Sequence, residues 1–142
     1  MLSELRVAEL LAAIGERTPA PASGAATALT GALAAALVEL AARFAEDQTI
    51  VVRAQSLRSR LSEIADEDSE AYGAFMAERT AETRARIVAV PREIASCADA
   101  VAALAGEVRS RVRGAVVGDA DAAAELARAA SVVARRLADL NE

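Results

Sequence analysis

The segment from Thr18 to Val38 constrains the fold more than any other, because it contains no charged residue. Two prolines prevent a regular helix at its beginning. Ser23 or Gly24 can then open one, since a serine at the N-cap accepts a free backbone N–H. A helix that is apolar on every side must be buried on every side. We therefore expect a central, Ala-rich helix from Ser23 to about Glu46, surrounded by other helices.

The same segment raises the alternative of a membrane-spanning helix. A span requires about 20 consecutive, strongly apolar residues. Here the helical part reaches only about 16 residues before Glu39, and alanine is only weakly apolar. We therefore expect a core helix and no membrane partner.

Composition bounds the class of protein. The chain has 142 residues, of which 54% are hydrophobic but only 2% aromatic, so alanine supplies most of the apolar content. Alanine favours helix but buries little surface per residue, which favours an oligomer. The net charge of −5, with acids and arginines interspersed, argues against nucleic acid as a partner. We predict one domain over residues 1–142, assembled as a homodimer.

The chain contains neither histidine nor lysine. Imidazole acid–base catalysis, the Ser-His-Asp triad and histidine metal sites are therefore excluded. Acid–base steps fall to carboxylates, Tyr72, Cys97, hydroxyl groups or water. Cys97 is the single cysteine, and no signal-peptide pattern follows Met1. We expect a cytoplasmic protein without a metal site.

Helical periodicity recurs along the rest of the chain. It predicts helices at residues 2–15, 48–78, 91–113 and 119–140, with a short helix or turn at 80–90. Pro91 is expected to break or kink the chain and to begin a new helix. Asp119 or Asp121 is the expected N-cap of the last helix. No alternating strand pattern occurs. The prediction is an all-α, up-and-down bundle of about five helices around the central helix, with over 70% helix.

One carboxylate interrupts an apolar stripe. The stripe has steps of 4, 3, 4, 4 and 3 residues and consists of Leu57, Leu61, Ile64, Asp68, Tyr72 and Phe75. Asp68 thus lies in the middle of an apolar helix face. It either bonds a helix end or an arginine within the core, or lines a pocket where desolvation raises its pKa and suits it to proton transfer. Asp119 also projects near an apolar stripe. If the two faced one cavity, they could act as a paired acid and base.

Four blocks of the sequence together resemble a known family. They are TPAPASGAATALTGALAAALVELAA (18–42), IADEDSEAYGAFM (64–76), AVPREIASCADAV (89–101) and GDADAAAELARAA (118–130). In this order they resemble the cyclodeaminase/cyclohydrolase family, represented by the C-terminal domain of formiminotransferase-cyclodeaminase and including methenyltetrahydrofolate cyclohydrolase-like proteins. The blocks cover most of the chain, which resembles a shortened member.

The resemblance implies a dimeric helical bundle that acts on one-carbon units of tetrahydrofolate, with a reduced folate as substrate. Related proteins expel ammonia from a formimino group while closing the methenyl ring, or hydrolyse that ring. By the resemblance, the substrate-binding candidates are Pro19, Pro21, Ser23, Gly24 and Asn141, and the catalytic candidates are Asp68, Tyr72 and Asp119.

The loop before the central helix departs from the family's pattern. Two of its three glycines are replaced by Ala22 and Ser23, and the following serine by Ala25. A Cβ at these positions blocks close approach of a ligand. Two functions therefore stay open. One is a folate-dependent enzyme, either deaminase or hydrolase; the other is a catalytically silent dimeric bundle that binds a small ligand or a protein.

For the enzyme, proton transfer is assigned to Asp68, because a carboxylate in an apolar wall has a pKa raised towards working pH. Asp119, near the positive end of a helix dipole, would orient the substrate or stabilise its cationic carbon. Tyr72 is the expected hydrogen-bond donor.

Overall fold

Helices account for 85% of the chain in the computed structural model, which describes residues 1–142. A 3₁₀ turn at Leu2–Glu4 precedes five helices, namely α1 (Val7–Gly15), α2 (Ser23–Phe44), α3 (Gln48–Ala77), α4 (Ala81–Arg109) and α5 (Ala115–Asn141). No strand forms. The predicted all-α class, the number of helices and a helix content above 70% are confirmed.

Helix α2 lies at the centre of a bundle formed by α2 to α5. It contacts α3, α4 and α5, while α3 also contacts α4 and α4 contacts α5. Short connections between these helices make sequence neighbours antiparallel. Small residues keep α2 thin: a Cβ added to Gly31 would lie 3.1 Å from Leu61 Cδ1 of α3. The absence of side-chain bulk on α2 therefore allows three helices to pack closely around it.

The expectation that α2 is buried on every side is wrong, because one face of this helix is exposed. Leu33, Leu40 and Phe44 are 63%, 39% and 67% exposed. The reason is that α3, α4 and α5 cover only part of its circumference. By length and composition α2 could cross a membrane, but 56% of its most hydrophobic window is buried within the bundle, as in a core helix. We call Leu33, Leu40 and Phe44 the free face of α2.

Helix α1 packs little against the bundle. None of its residues is buried, and its apolar residues Val7 and Leu11 are largely exposed. Its apolar face therefore has no partner within the chain.

The prediction that a helix begins at Pro91 is wrong. The helix runs without interruption from Ala81 to Arg109, and Pro91 is buried in its interior. Proline has no N–H, so the carbonyl of Ile87, four residues earlier, loses its donor in the helix. Asn141 Nδ2 of α5 replaces that donor, at 2.8 Å from the Ile87 carbonyl oxygen. A side chain from a neighbouring helix thus satisfies the carbonyl that the proline leaves open.

The beginnings of two helices also differ from expectation. Helix α5 begins at Ala115 instead of Asp119, with Gly114 as its N-cap at φ +64°. Glycine adopts this positive φ without strain, so the chain enters the helix directly and neither aspartate is the N-cap. Helix α2 begins at Ser23, but its N-cap is Ala22, and no side chain caps it.

Candidate active site

A cavity of about 490 Å³ opens where the loop before α2, the first turn of α2, the C-terminal half of α3, the middle of α4 and the end of α5 meet. This volume is within the range of small-molecule sites, about 300–1,000 Å³. Its walls are Thr18, Pro19, Ala20, Ala22, Ser23, Gly24, Asp68, Tyr72, Met76, Pro91, Leu137, Leu140 and Asn141. Most of these are apolar or small, with a few polar groups between them.

Asp68 is the one carboxylic acid side chain among these residues. Burial raises the pKa of its carboxyl group, and no hydrogen bond or charged neighbour contributes to the shift. Asp68 therefore neither pairs with an arginine nor bonds a helix end. Of the two alternatives that the sequence left open, the geometry matches a desolvated carboxyl group in a pocket wall.

Gly24 of α2 lies against this carboxyl group. A Cβ built on Gly24 would overlap the carboxyl oxygens and Cγ of Asp68. The Asp68 side chain of α3 thus lies close to the backbone of α2, in space that a larger residue at position 24 would take. The absence of a side chain at residue 24 allows the carboxyl group its place at the edge of the cavity.

The first turn of α2 presents unpaired backbone N–H groups beside Asp68. No side chain caps the helix, and the first N–H that bonds a carbonyl is that of Ala26, to Ala22 at 3.0 Å. The N–H groups of residues 23–25 therefore remain available, and the positive end of the helix dipole lies at the cavity. They can donate to an oxygen of a bound ligand.

Tyr72 and Met76 continue the cavity wall along α3. They follow Asp68 at intervals of four residues, so all three lie on one helix face. The ring of Tyr72 is 6.5 Å from that of Phe75, and the guanidinium groups of Arg79 and Arg84 each lie 5.4 Å from the centre of the Phe75 ring. Two arginines therefore pack on Phe75, the residue that precedes Met76.

Six of the eight site residues predicted from the sequence line this one cavity, namely Pro19, Ser23, Gly24, Asp68, Tyr72 and Asn141. Pro21 instead lines an adjacent groove with Leu2 and Asp66. Asp119 does not line the cavity. It precedes Asn141 by 22 residues of the same helix, about 33 Å at 1.5 Å per residue. The condition that Asp68 and Asp119 face one cavity is therefore not met within one chain.

Sequence reasoning missed several residues of the cavity wall. The spacing of 68, 72 and 76 could have indicated Met76. No local signal indicated Pro91, Leu137 or Leu140, because the approach of α4 and α5 to the cavity is a matter of tertiary packing. No group of three or more His, Cys, Asp or Glu side chains is arranged to hold a metal ion.

Replacing Gly24 by alanine should force the Asp68 carboxyl group out of its position, because the new Cβ would overlap it. We expect the free energy of unfolding to fall by no more than about 1 kcal/mol, the low end for overpacked sites, because the carboxyl group ends a side chain that can turn into the cavity. Urea unfolding followed by circular dichroism measures this. Gly73→Ala on α3 is the matched control: its Cβ meets nothing within 4 Å, so it should stabilise by about 0.5–1 kcal/mol.

The cause of the loss is tested by combining Gly24→Ala with Asp68→Ala. With the carboxyl group removed, alanine at position 24 should no longer destabilise the protein. An equal loss in both backgrounds would contradict the contact with Asp68.

Comparisons with known proteins bear on the family and the fold of the chain. The sequence matches the formiminotransferase-cyclodeaminase family over residues 6–141. The structure is similar to that of formiminotetrahydrofolate cyclodeaminase from Thermotoga maritima, with a TM-score of 0.94 and 23% sequence identity over 99% of this chain and 80% of that one. Identity this low establishes the fold alone. No curated protein matches the sequence. Because the family match spans nearly all of its residues, the chain belongs to the formiminotransferase-cyclodeaminase family.

Proposed function

We propose that the protein is a folate-dependent one-carbon enzyme of the formimidoyltetrahydrofolate cyclodeaminase or methenyltetrahydrofolate cyclohydrolase type. The observation that carries the proposal is Asp68: a carboxyl group desolvated in the wall of a cavity large enough for a pterin, with a pKa raised by burial. The proposal includes a reduced folate as substrate and a cytoplasmic location.

The deaminase reaction requires a group that both accepts and donates a proton. N10 of the folate attacks the formimino carbon, a new C–N bond forms, and N10 must lose its proton. The formimino group enters as a protonated amidine, so its =NH₂⁺ nitrogen becomes NH₂ on attack and must gain one more proton, matching the one lost by N10, before its C–N bond breaks, ammonia leaves and the methenyl cation remains. A carboxyl group whose pKa is raised towards working pH can perform both transfers. Asp68 is the residue of the cavity that can act in this way.

The hydrolase reaction also requires a group that transfers protons. Water adds to the methenyl carbon and loses a proton, and the ring then opens as a ring nitrogen is protonated. Asp68 could again transfer the proton. The free N–H groups at the beginning of α2 would hold the oxygen that develops charge in this addition. Both reactions would use the same residues. Assays of the formimino and methenyl forms of tetrahydrofolate therefore decide which reaction the protein catalyses.

The remaining residues of the cavity would bind and orient the substrate. Tyr72, one helical turn from Asp68, offers a hydroxyl donor to the pterin. Arg79 and Arg84 pack on Phe75, which precedes the lining residue Met76, and would attract the carboxylates of the folate's glutamate. Asp119 lies too far along α5 to take part within one chain, so a catalytic role for it would require the second subunit of a dimer.

A catalytically silent bundle is the second candidate function. It is favoured by Ala22 and Ser23, whose side chains stand in the cavity wall where the family has glycines. Isothermal titration calorimetry with tetrahydrofolate, combined with turnover assays on the formimino and methenyl forms, separates the two. Binding without turnover would favour the silent bundle, and absence of binding would contradict both folate-based proposals.

Replacing Asp68 by asparagine keeps the shape of the side chain and removes its proton transfer. We expect turnover to fall by about 10²-fold or more while the fold is kept, because general acid–base groups contribute about that much. Stopped-flow absorbance of the methenyl chromophore measures the rate. Asp121→Asn makes the same chemical change at an exposed site on α5 and is expected to leave the rate unchanged. A rate for Asp68→Asn within a few-fold of the parent would exclude Asp68 as the proton-transfer group.

The same substitution should change how stability depends on pH. Because the folded state raises the pKa of Asp68, it holds the proton more tightly than the unfolded chain does. The stability contributed by this group is therefore fully present below the unfolded pKa of about 3.9, and is lost as the pH rises through the folded pKa. Asp68→Asn should unfold at a higher urea concentration than the parent at pH 7.5, and lose this advantage at pH 3.5. An equal difference at both pH values would contradict the raised pKa.

We further propose that the functional unit is a homodimer in which the free face of α2 is covered. This uncharged face and the exposed residues Val7 and Leu11 of α1 form apolar surface without a partner in the chain. Leu33, Leu40 and Phe44 share one face of α2, and an exposed apolar patch of this kind marks an interaction site. A twofold symmetric contact needs only one self-complementary patch.

Light scattering of the parent should give about 29 kDa, twice the chain mass of 14.6 kDa. Combining Leu33→Glu with Phe44→Glu should shift the mass towards 14.6 kDa, because two carboxylates would lie in the contact. Ala103→Glu, on the exposed side of α4, is the control and should remain a dimer. A parent mass of 14.6 kDa at working concentration would contradict the dimer.

A further inference from the structure

Pro91 and Asn141 are coupled through a single backbone carbonyl. Pro91 lies in the interior of α4 and cannot donate to the carbonyl of Ile87, which is the acceptor that residue 91 would otherwise bond. Ile87 is itself buried, so water does not readily replace the missing donor. Asn141 Nδ2 donates to this carbonyl oxygen at 2.8 Å. The last helical residue of α5 is thereby held against the middle of α4.

This hydrogen bond fixes which way the Asn141 amide points. A carbonyl oxygen only accepts, so the amide nitrogen and not the amide oxygen must face Ile87. Asn141 Oδ1 is then directed away from Ile87. It accepts no hydrogen bond from the chain, it is not a buried unpaired atom, and its residue lines the cavity. A residue of the cavity wall therefore has an amide oxygen that the chain leaves unpaired.

We propose that Pro91 is a positioning residue, which by leaving the Ile87 carbonyl open holds Asn141 so that its Oδ1 accepts an N–H group of the bound ligand. The inference rests on the proposed function, in which the ligand is a reduced folate. The pterin of such a ligand carries N–H groups on its ring and its exocyclic amine. At this point of the cavity the protein selects a donor and disfavours a ligand carbonyl.

Pro91→Ala changes stability and binding for different reasons. Alanine at position 91 would supply the missing N–H to Ile87, so Asn141 is released and binding should weaken. The same substitution removes buried ring carbons, which costs stability, so its own effect on the thermal midpoint is the sum of a gain and a loss. The coupling between residues 91 and 141 is therefore tested by double-mutant cycles, in which this sum cancels.

A double-mutant cycle over Pro91→Ala and Asn141→Ala tests the coupling, with tetrahydrofolate as the titrant in anaerobic calorimetry. We expect each single variant to bind about 3–10-fold more weakly, the range for one lost hydrogen bond. The double variant should bind no more weakly than Asn141→Ala alone. If Pro91→Ala weakens binding by the same factor in both backgrounds, Pro91 acts by its own contact with the ligand, and the positioning role is overturned.

The thermal midpoints of the same four proteins report on the coupling without any ligand. Asn141→Ala should lower the midpoint when residue 91 is proline, because the Ile87 carbonyl then loses its donor. It should have little effect when residue 91 is alanine. Equal decreases in both backgrounds would overturn the coupling. If the parent does not bind tetrahydrofolate, the proposed function and the ligand contact fail together, whereas this cycle still decides whether Pro91 positions Asn141.

Discussion

The close approach of the Asp68 carboxyl group to the backbone of Gly24 is the contact on which the site depends. It requires a helix without a side chain at residue 24 and a neighbouring helix that presents a carboxyl group inward. Burying that carboxyl group in its charged form is unfavourable, and burial accordingly raises its pKa. By the resemblance, residues 22–24 stand where the family has three glycines. This chain keeps Gly24, the one that leaves room for Asp68, and residues 22 and 23 line the same cavity.

The sequence predicted those features that follow from local periodicity. The stripe through Leu61 and Tyr72 indicated α3 and put Asp68 on its apolar face, and the small residues after Ser23 indicated the central helix. Both were correct because helix faces are set by a repeat of 3.6 residues, which can be read over two or three turns. Periodicity also correctly suggested that residues four apart, such as Asp68 and Tyr72, share one wall.

The sequence could not predict contacts that depend on distant residues. Pro91 was expected to begin a helix, since a local rule treats a proline as a break. The donor that lets α4 continue comes from Asn141, on another helix. Asp119 was grouped with Asp68 because both project inward. A helical repeat predicts on which face of a helix a residue lies, but not at which end of the bundle. Asp119 lies near the beginning of α5, whereas the cavity is at the end of that helix.

The cavity lies where several helices depart from regular hydrogen bonding. Helix α2 begins there without a capping side chain, α4 lacks the N–H of residue 91, and α5 ends at Asn141. Buried polar groups normally have hydrogen-bond partners within the fold. The donors and acceptors that lack such partners at the cavity are therefore available to a ligand. Helix α2 leaves donors, Asn141 leaves an acceptor, and Asp68 can be either, according to its proton. A ligand with both N–H and carbonyl groups around a flat ring, as in a pterin, could form hydrogen bonds with the donors of α2, the acceptor of Asn141 and the carboxyl group of Asp68.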